Sequence, residues 1–241
     1  MATKSRWING AWCLYDTYRF RLIDAFGANV HKYITDFCSL ATDDTTGDPT
    51  EYTNTVVEAG AGDSTAIVNV DAQGGWLRIN AAGNENDGAN LQLKGEPFKV
   101  TSGDLLYFGT KIKMDEVTQS DACIGLCIGA NTTLCGGMTD GIYFRTVDGS
   151  AALTFVTEKD STETATSVVT TLVAAAEYIL EFYADSTTTV YAYVNGTLVA
   201  THTTNIPDDE ALTVSIAYLN GAAQSNKGVD VDYVRAIGIM N

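Results

Sequence analysis

Residues 178–203 read YILEFYADSTTTVYAYVNGTLVATHT, and this stretch decides the fold. Tyr178, Leu180 and Phe182 alternate with Ile179, Glu181 and Tyr183, and residues 190–194 repeat the pattern. This is the two-residue period of a β-strand, not the period of a helix. Asn195-Gly196 follows at once. Asn and Gly tolerate the positive φ angles of a type I′ turn, whose twist suits antiparallel strands, so residues 190–194 are predicted to pair with 198–203 as a hairpin.

Outward from the hairpin the same signature recurs. Downstream, Leu212, Val214, Ile216 and Tyr218 share one face of a strand; Val229, Val231, Tyr233 and Ile237 share one face of the last, with Asp230 and Asp232 opposite. Upstream, residues 64–70, 75–81, 105–114, 122–128, 141–147 and 152–158 are short β-type runs separated by Gly, Asn, Asp and Ser. Only three prolines occur, Pro49, Pro97 and Pro207, all at segment edges, so nothing interrupts the ladders. On the order of a dozen strands is too many for one flat sheet, and two curved sheets packed face to face satisfy them. The expectation is an all-β jelly-roll sandwich over residues 55–241, preceded by an extended N-terminal arm and linker over 1–54.

That first segment is chemically distinct. Trp7, Trp12, Tyr15, Tyr18, Phe20, Phe26, Tyr33 and Phe37 crowd its first forty positions, and residues 42–50 (TDDTTGDPT) are polar and turn-rich. Residues 1–40 carry five basic groups (Lys4, Arg6, Arg19, Arg21, Lys32) against three acidic ones (Asp16, Asp24, Asp36), a net +2 in a chain of net −16, so the remainder carries −18. Trp, Tyr and Arg dominate interface hot spots, which makes Arg6, Trp7, Trp12, Tyr15, Tyr18, Arg19, Phe20 and Arg21 the candidate partner-binding residues. Two readings of the arm stay open: an anchor to a neighbour, or a cap on the sandwich whose tryptophans belong to its own core.

The acidic balance argues against nucleic acid as a partner, because phosphate affinity comes from Lys and Arg. No apolar run approaches the roughly 20 residues of a membrane helix and no signal-peptide pattern opens the chain, so a soluble protein made in the cytoplasm is expected. The five cysteines (Cys13, Cys38, Cys123, Cys127, Cys135) lack zinc-site spacing and read as buried reduced thiols.

The ordered segments Leu91-Gln-Leu-Lys-Gly-Glu-Pro-Phe98, Thr118-Gln-Ser-Asp121, Asp140-Gly-Ile-Tyr-Phe-Arg145, Phe155-Val-Thr-Glu-Lys159 and Val190-Tyr-Ala-Tyr-Val-Asn-Gly196 resemble tailed-phage virion proteins with a concanavalin A-like sandwich. The likeness runs from about residue 55 to 237. The ending Gly228-Val-Asp-Val-Asp-Tyr-Val-Arg235 is similar, at the level of the fold, to the last strand of laminin-G-like and lectin-like sandwiches. The resemblance implies a capsid decoration or minor capsid protein on the virion surface, and carries over no catalytic residue.

The Glu-x-Asp-x-x-Glu motif of retaining glucanases is absent, and Asp230 and Asp232, two apart on a strand, read as solvated acids on its outer side. His31 and His202 stand apart from any triad pattern, His202 reading as a surface histidine, and no phosphate-cradling glycine loop occurs. Asn84-Glu-Asn-Asp87-Gly88 and residues 42–48 cluster oxygen ligands, as calcium sites do, but plain turn chemistry explains them equally.

The function expected is therefore non-enzymatic, without cofactor or metal: a protein that binds the major capsid protein and sister subunits, as a homo-oligomer such as a trimer. The rival readings are a lectin-like module holding host-surface glycan, with Trp76, Tyr107, Tyr143 and Tyr218 as candidate exposed aromatics, and a glycan hydrolase.

Overall fold

The computed structural model describes residues 3–16, 21–58, 65–70, 73–129, 135–223 and 227–241, and within them every regular element is a strand. The strands are β1 (Thr3–Ile8), β2 (Ala11–Asp16), β3 (Arg21–Phe26), β4 (Val30–Thr35), β5 (Tyr52–Val57), β6 (Ala66–Val70), β7 (Trp76–Asn80), β8 (Gly88–Leu93) and β9 (Leu105–Met114). They continue with β10 (Ser120–Cys127), β11 (Gly141–Val147), β12 (Ser150–Lys159), β13 (Thr162–Thr171), β14 (Glu177–Asp185), β15 (Thr189–Val194), β16 (Thr197–His202), β17 (Thr213–Asn220) and β18 (Gly228–Ile239).

Two large antiparallel sheets form the sandwich. One has the order β13-β12-β11-β10-β17-β8-β5; the other has the order β16-β15-β14-β9-β18-β7-β6, with β4 also on β18. The predicted hairpin is present: Asn195 and Gly196 adopt φ of 52° and 79°, and β15 pairs with β16, Val190 opposite His202, with a register shift at Ala192 and Tyr193. The core lies between the sheets, where Phe155 of β12 meets Phe182 of β14 at 6.1 Å between ring centroids and Phe182 stacks on Phe108 of β9 at 5.2 Å. Fully burying such a side chain is worth about 1.5–3 kcal/mol, so this aromatic seam is a principal tie between the layers.

The last strand departs from strict alternation. Its pairing with β9 shifts between Val231 and Tyr233, so Asp232 sits at a bulge. One inserted residue flips everything beyond it to the other face. Val229, Val231, Val234 and Ala236 consequently point into the main core, whereas Ile237 and Ile239 point outward into a second apolar cluster. The expectation that Tyr233 and Ile237 share a face with Val229 is corrected accordingly.

A third, small sheet of β1-β2-β3 covers those outward isoleucines. Its inner face supplies Ala11, Cys13, Leu22 and Ala25, which pack with Tyr107, Ile237 and Ile239. Asn29 Nδ2 donates to Met240 O and to Asn9 O, both at 2.6 Å, and pins the sheet to the chain's last strand. The N-terminal segment is thus no extended arm. Beyond it, β4 zips onto residues 234–239 of β18, β5 forms the edge of the other large sheet, and Phe37 and Tyr52 are core residues. A boundary at residue 54 falls inside β5, because backbone pairing, invisible in composition, draws these segments into the sandwich.

Candidate functional site

The outer face of the small sheet carries an aromatic row. Trp7 lies directly opposite Trp12, and Trp12 opposite Phe26, so the three side chains follow one another across three strands on one side. Trp12 and Phe26 are 6.1 Å apart by ring centroid, and the Lys32 ammonium stands 4.4 Å over the Phe26 ring. Trp7 is 73% exposed, Trp12 43% and Phe26 46%, so the reading in which the tryptophans join the core does not hold. Asn9-Gly10, with φ of 48° and 78°, makes the β1–β2 turn that places Trp7 opposite Trp12.

The other candidates fall elsewhere. Arg21 is turned inward, its Nε 3.5 Å from Glu181 Oε1, and Glu181 also accepts from the Tyr107 hydroxyl at 2.8 Å. It is therefore engaged within the chain rather than displayed to a partner, because a buried carboxylate on β14 holds it. Arg6 and Tyr15 face the sandwich side, with the Arg6 guanidinium 5.1 Å over the Tyr15 ring. Tyr18, Arg19 and Phe20 lie outside the described residues. Phe26 completes the row and was not singled out; the cross-strand register identifies it.

Beneath β1 to β3 the small sheet and the outer face of β14 and β15 enclose a cleft of about 360 Å³. Arg6, Ile8, Tyr15 and Leu22 line it from the small sheet, and Leu105, Tyr183, Asp185, Tyr191 and Tyr193 from the large one. Tyr183 and Tyr193 meet edge to face at 6.3 Å, and the four tyrosines are each part-exposed. Burial pushes the Tyr183 hydroxyl well above its ordinary range and the Tyr193 hydroxyl upward, so both stay protonated donors at neutral pH.

The rest of that outer face is a band of ion pairs. Asp230, only 5% exposed, accepts from Arg78 Nη1 at 2.8 Å and faces Lys113 Nζ at 3.1 Å. Arg78 also pairs with Asp115, and Lys111 with Asp232. Lys111 and Lys113 lie 4.8 and 5.0 Å over the Trp76 ring. The picture of solvated acids at 230 and 232 is corrected: β7 and β9 bring cations to Asp230, and β9 brings Lys111 to Asp232.

On the opposite large sheet, Glu158 and Glu163 are cross-strand partners. The Tyr143 hydroxyl donates to Glu158 Oε2 at 2.7 Å, and Arg145 pairs with Glu163. Burial raises the Glu158 pKa, opposed by the Tyr143 hydrogen bond. His202 is also corrected: it is 3% exposed, with Nδ1 3.0 Å from Thr157 Oγ1 and Nε2 2.8 Å from Thr166 Oγ1, because β16 folds back against β12 and β13.

The four aromatics proposed as exposed glycan contacts, Trp76, Tyr107, Tyr143 and Tyr218, are all buried. Of the cysteines, Cys13, Cys123 and Cys127 are buried, Cys135 partly so, and Cys38 is exposed against expectation, its Sγ donating to Gly74 O at 3.2 Å. The loop carboxylates considered for calcium serve their own turns: Asp87 Oδ2 accepts from Asn84 N at 2.6 Å, and Asp43 Oδ1 from Thr45 N at 2.8 Å and Thr46 N at 3.0 Å.

Known proteins align with this architecture. A crystal structure of a protein of unknown function, SO2946 from Shewanella oneidensis MR-1, superposes with a TM-score of 0.58 at 13% identity, over 87% of this chain and 86% of that one. The endo-1,3-beta-glucanase from Streptomyces sioyaensis gives 0.60 at 14% identity, over 90% and 99%. A beta-1,3-1,4-glucanase (lichenase) derived from a mouse hindgut metagenome gives 0.58 at 12%, over 85% and 98%. Identities this low carry the concanavalin-like jelly-roll fold and no activity. No curated protein matches the sequence. A family model does match, over residues 72–232, which takes in β7 through the start of β18, and the chain therefore belongs to the SO2946-like, C-terminal domain family.

Proposed function

We propose that this chain is a non-enzymatic phage virion protein, a decoration or minor capsid protein that attaches to the assembled head through the outer face of β1-β2-β3. One observation carries the reading: the row Trp7, Trp12 and Phe26 stands exposed on a sheet whose other face is already docked. Exposed contiguous aromatics on a soluble domain mark interaction surfaces. The sequence likeness to tailed-phage virion proteins supplies the partner, the major capsid protein together with sister subunits, and the place, the capsid surface of particles assembled in the host cytoplasm. A protein that binds only the assembled lattice stabilises it by mass action. Asp230, Asp232 and Glu163 are each ion-paired, which favours reading these three carboxylates as structural.

The test is binding of full-length protein to empty heads. Trp7→Ala and Trp12→Ala each remove a solvent-facing ring and leave the fold intact, and each is expected to cost at least about 2 kcal/mol of binding, roughly thirtyfold in affinity. Undiminished decoration by the double variant would remove this face from the mechanism. A second, lectin-like reading is favoured by the tyrosine-lined cleft beneath the same sheet.

A further inference from the structure

We infer that the cleft between the small sheet and β14–β15 is a binding site for a neutral saccharide. The inference rests on the lectin-like reading and is independent of where the protein sits in a particle.

The lining decides the ligand class. Four tyrosines, Tyr15, Tyr183, Tyr191 and Tyr193, converge on about 360 Å³, within the range of small-molecule sites. Tyrosine rings offer flat apolar faces to the C–H side of a pyranose, and the hydroxyls of Tyr15, Tyr191 and Tyr193, with Arg6 and Asp185, offer donors and acceptors to its hydroxyl rim. A purely apolar ligand would cover the polar groups of Arg6 and Asp185, both exposed to water, without offering either a partner. An anionic ligand meets one arginine and one carboxylate in the lining, in a chain of net charge −16. A neutral polyhydroxylated ring satisfies both the faces and the polar edge.

The site is also built rather than incidental. Its floor is rigid sheet, since Tyr183 pairs with Tyr107 of β9 and with Tyr191 of β15 in register, and its ring lies 4.9 Å from the buried Tyr107 ring. Its roof is the small sheet, fixed by the Cys13, Leu22 and Ile237 cluster and by Asn29. Arg6, Ile8, Tyr15 and Leu22 all precede the family-matched residues 72–232, so this chain's own N-terminal segment completes the site.

The experiment titrates the full-length protein with glucose, galactose, mannose, N-acetylglucosamine and their β-linked disaccharides, read by saturation-transfer NMR and by tyrosine fluorescence. Saturable binding of at least one, weakened at least tenfold by Tyr191→Ala or Tyr193→Ala and unchanged by Trp7→Ala, is the result expected. Thermal melts confirm that the variants fold; Tyr193→Phe, which keeps the ring, retains most of the affinity. Failure of every sugar to bind overturns the assignment. So does sugar binding that survives both tyrosine changes but disappears with Trp7→Ala and Trp12→Ala, which moves the site to the aromatic row. Saturable binding of a proline-rich peptide that no sugar displaces also overturns it, as aromatic-lined clefts serve such peptides too.

Discussion

Replacing Asp230 by Asn tests the ion-pair band directly. The carboxylate is 5% exposed, with Arg78 Nη1 at 2.8 Å and Lys113 Nζ at 3.1 Å. At an effective dielectric near 20, a charge pair about 4 Å apart is worth about 4 kcal/mol before desolvation. Breaking a buried pair costs about 3–5 kcal/mol, an exposed pair about 0.2–1 kcal/mol. The partners' side chains retain 19% and 33% exposure and Arg78 keeps Asp115, so the loss falls between these limits, at about 2 kcal/mol. For a chain of this size that lowers Tm by about 4–8 °C. Asp232→Asn, at a side chain 19% exposed and paired with Lys111, is the milder control. Differential scanning calorimetry at low and high salt measures both; the Asp230 effect persists in high salt because water reaches the pair poorly. A Tm for Asp230→Asn within 1 °C of wild type, in the sense of about 0.5 kcal/mol or less, would refute the reasoning that the band contributes to stability.

His202 is buried and its pKa is lowered below 6.5 by burial, so the unfolded chain binds the extra proton first; its contribution is complete above pH 6.5 and declines as pH falls toward the lowered value. The gap in Tm between wild type and His202→Gln should narrow from pH 8 to pH 5, and a constant gap would show that the ring does not titrate in that window. Glu116 is held at a pKa of about 2 by the Thr118 hydroxyl and by the amides of Thr118, Gln119 and Val117, against some desolvation. The stability it supplies is present above pH 4.5 and lost as pH falls toward 2, so urea midpoints of wild type and Glu116→Gln should differ at pH 6 and converge near pH 2. Deleting residues 1–40 removes β4 from β18 and uncovers Tyr107, Ile237 and Ile239, so the fragment should aggregate or melt early; a monomer with wild-type Tm by light scattering and calorimetry would contradict the docking of the small sheet.

The all-β class, the hairpin at Asn195-Gly196 and most strands from β7 onward were legible in the sequence, because alternation and turn chemistry are local and each is written in adjacent residues. The same signature at Asn9-Gly10 marks the β1–β2 hairpin, yet it was submerged in a segment read by its aromatic and charge composition. β13 (Thr162–Thr171), rich in threonine, and β8 (Gly88–Leu93), glycine-led, carry too weak an apolar alternation to stand out.

The sites divide along the same line. That Trp7 and Trp12 are unusual could be read from their neighbours in the chain; that they are exposed, that Phe26 joins them and that Arg21 turns away to Glu181 could not. The cleft joins Arg6 to Tyr193, and the ion-pair band joins Arg78 to Asp230. The bulge at Asp232 sends Ile237 outward and so creates the surface on which the small sheet docks. Local rules fix strand and turn, because backbone sterics and side-chain alternation act between neighbours. Which strand lies beside which, and therefore which distant side chains meet, follows from burying the whole apolar surface at once, a condition only the tertiary structure solves.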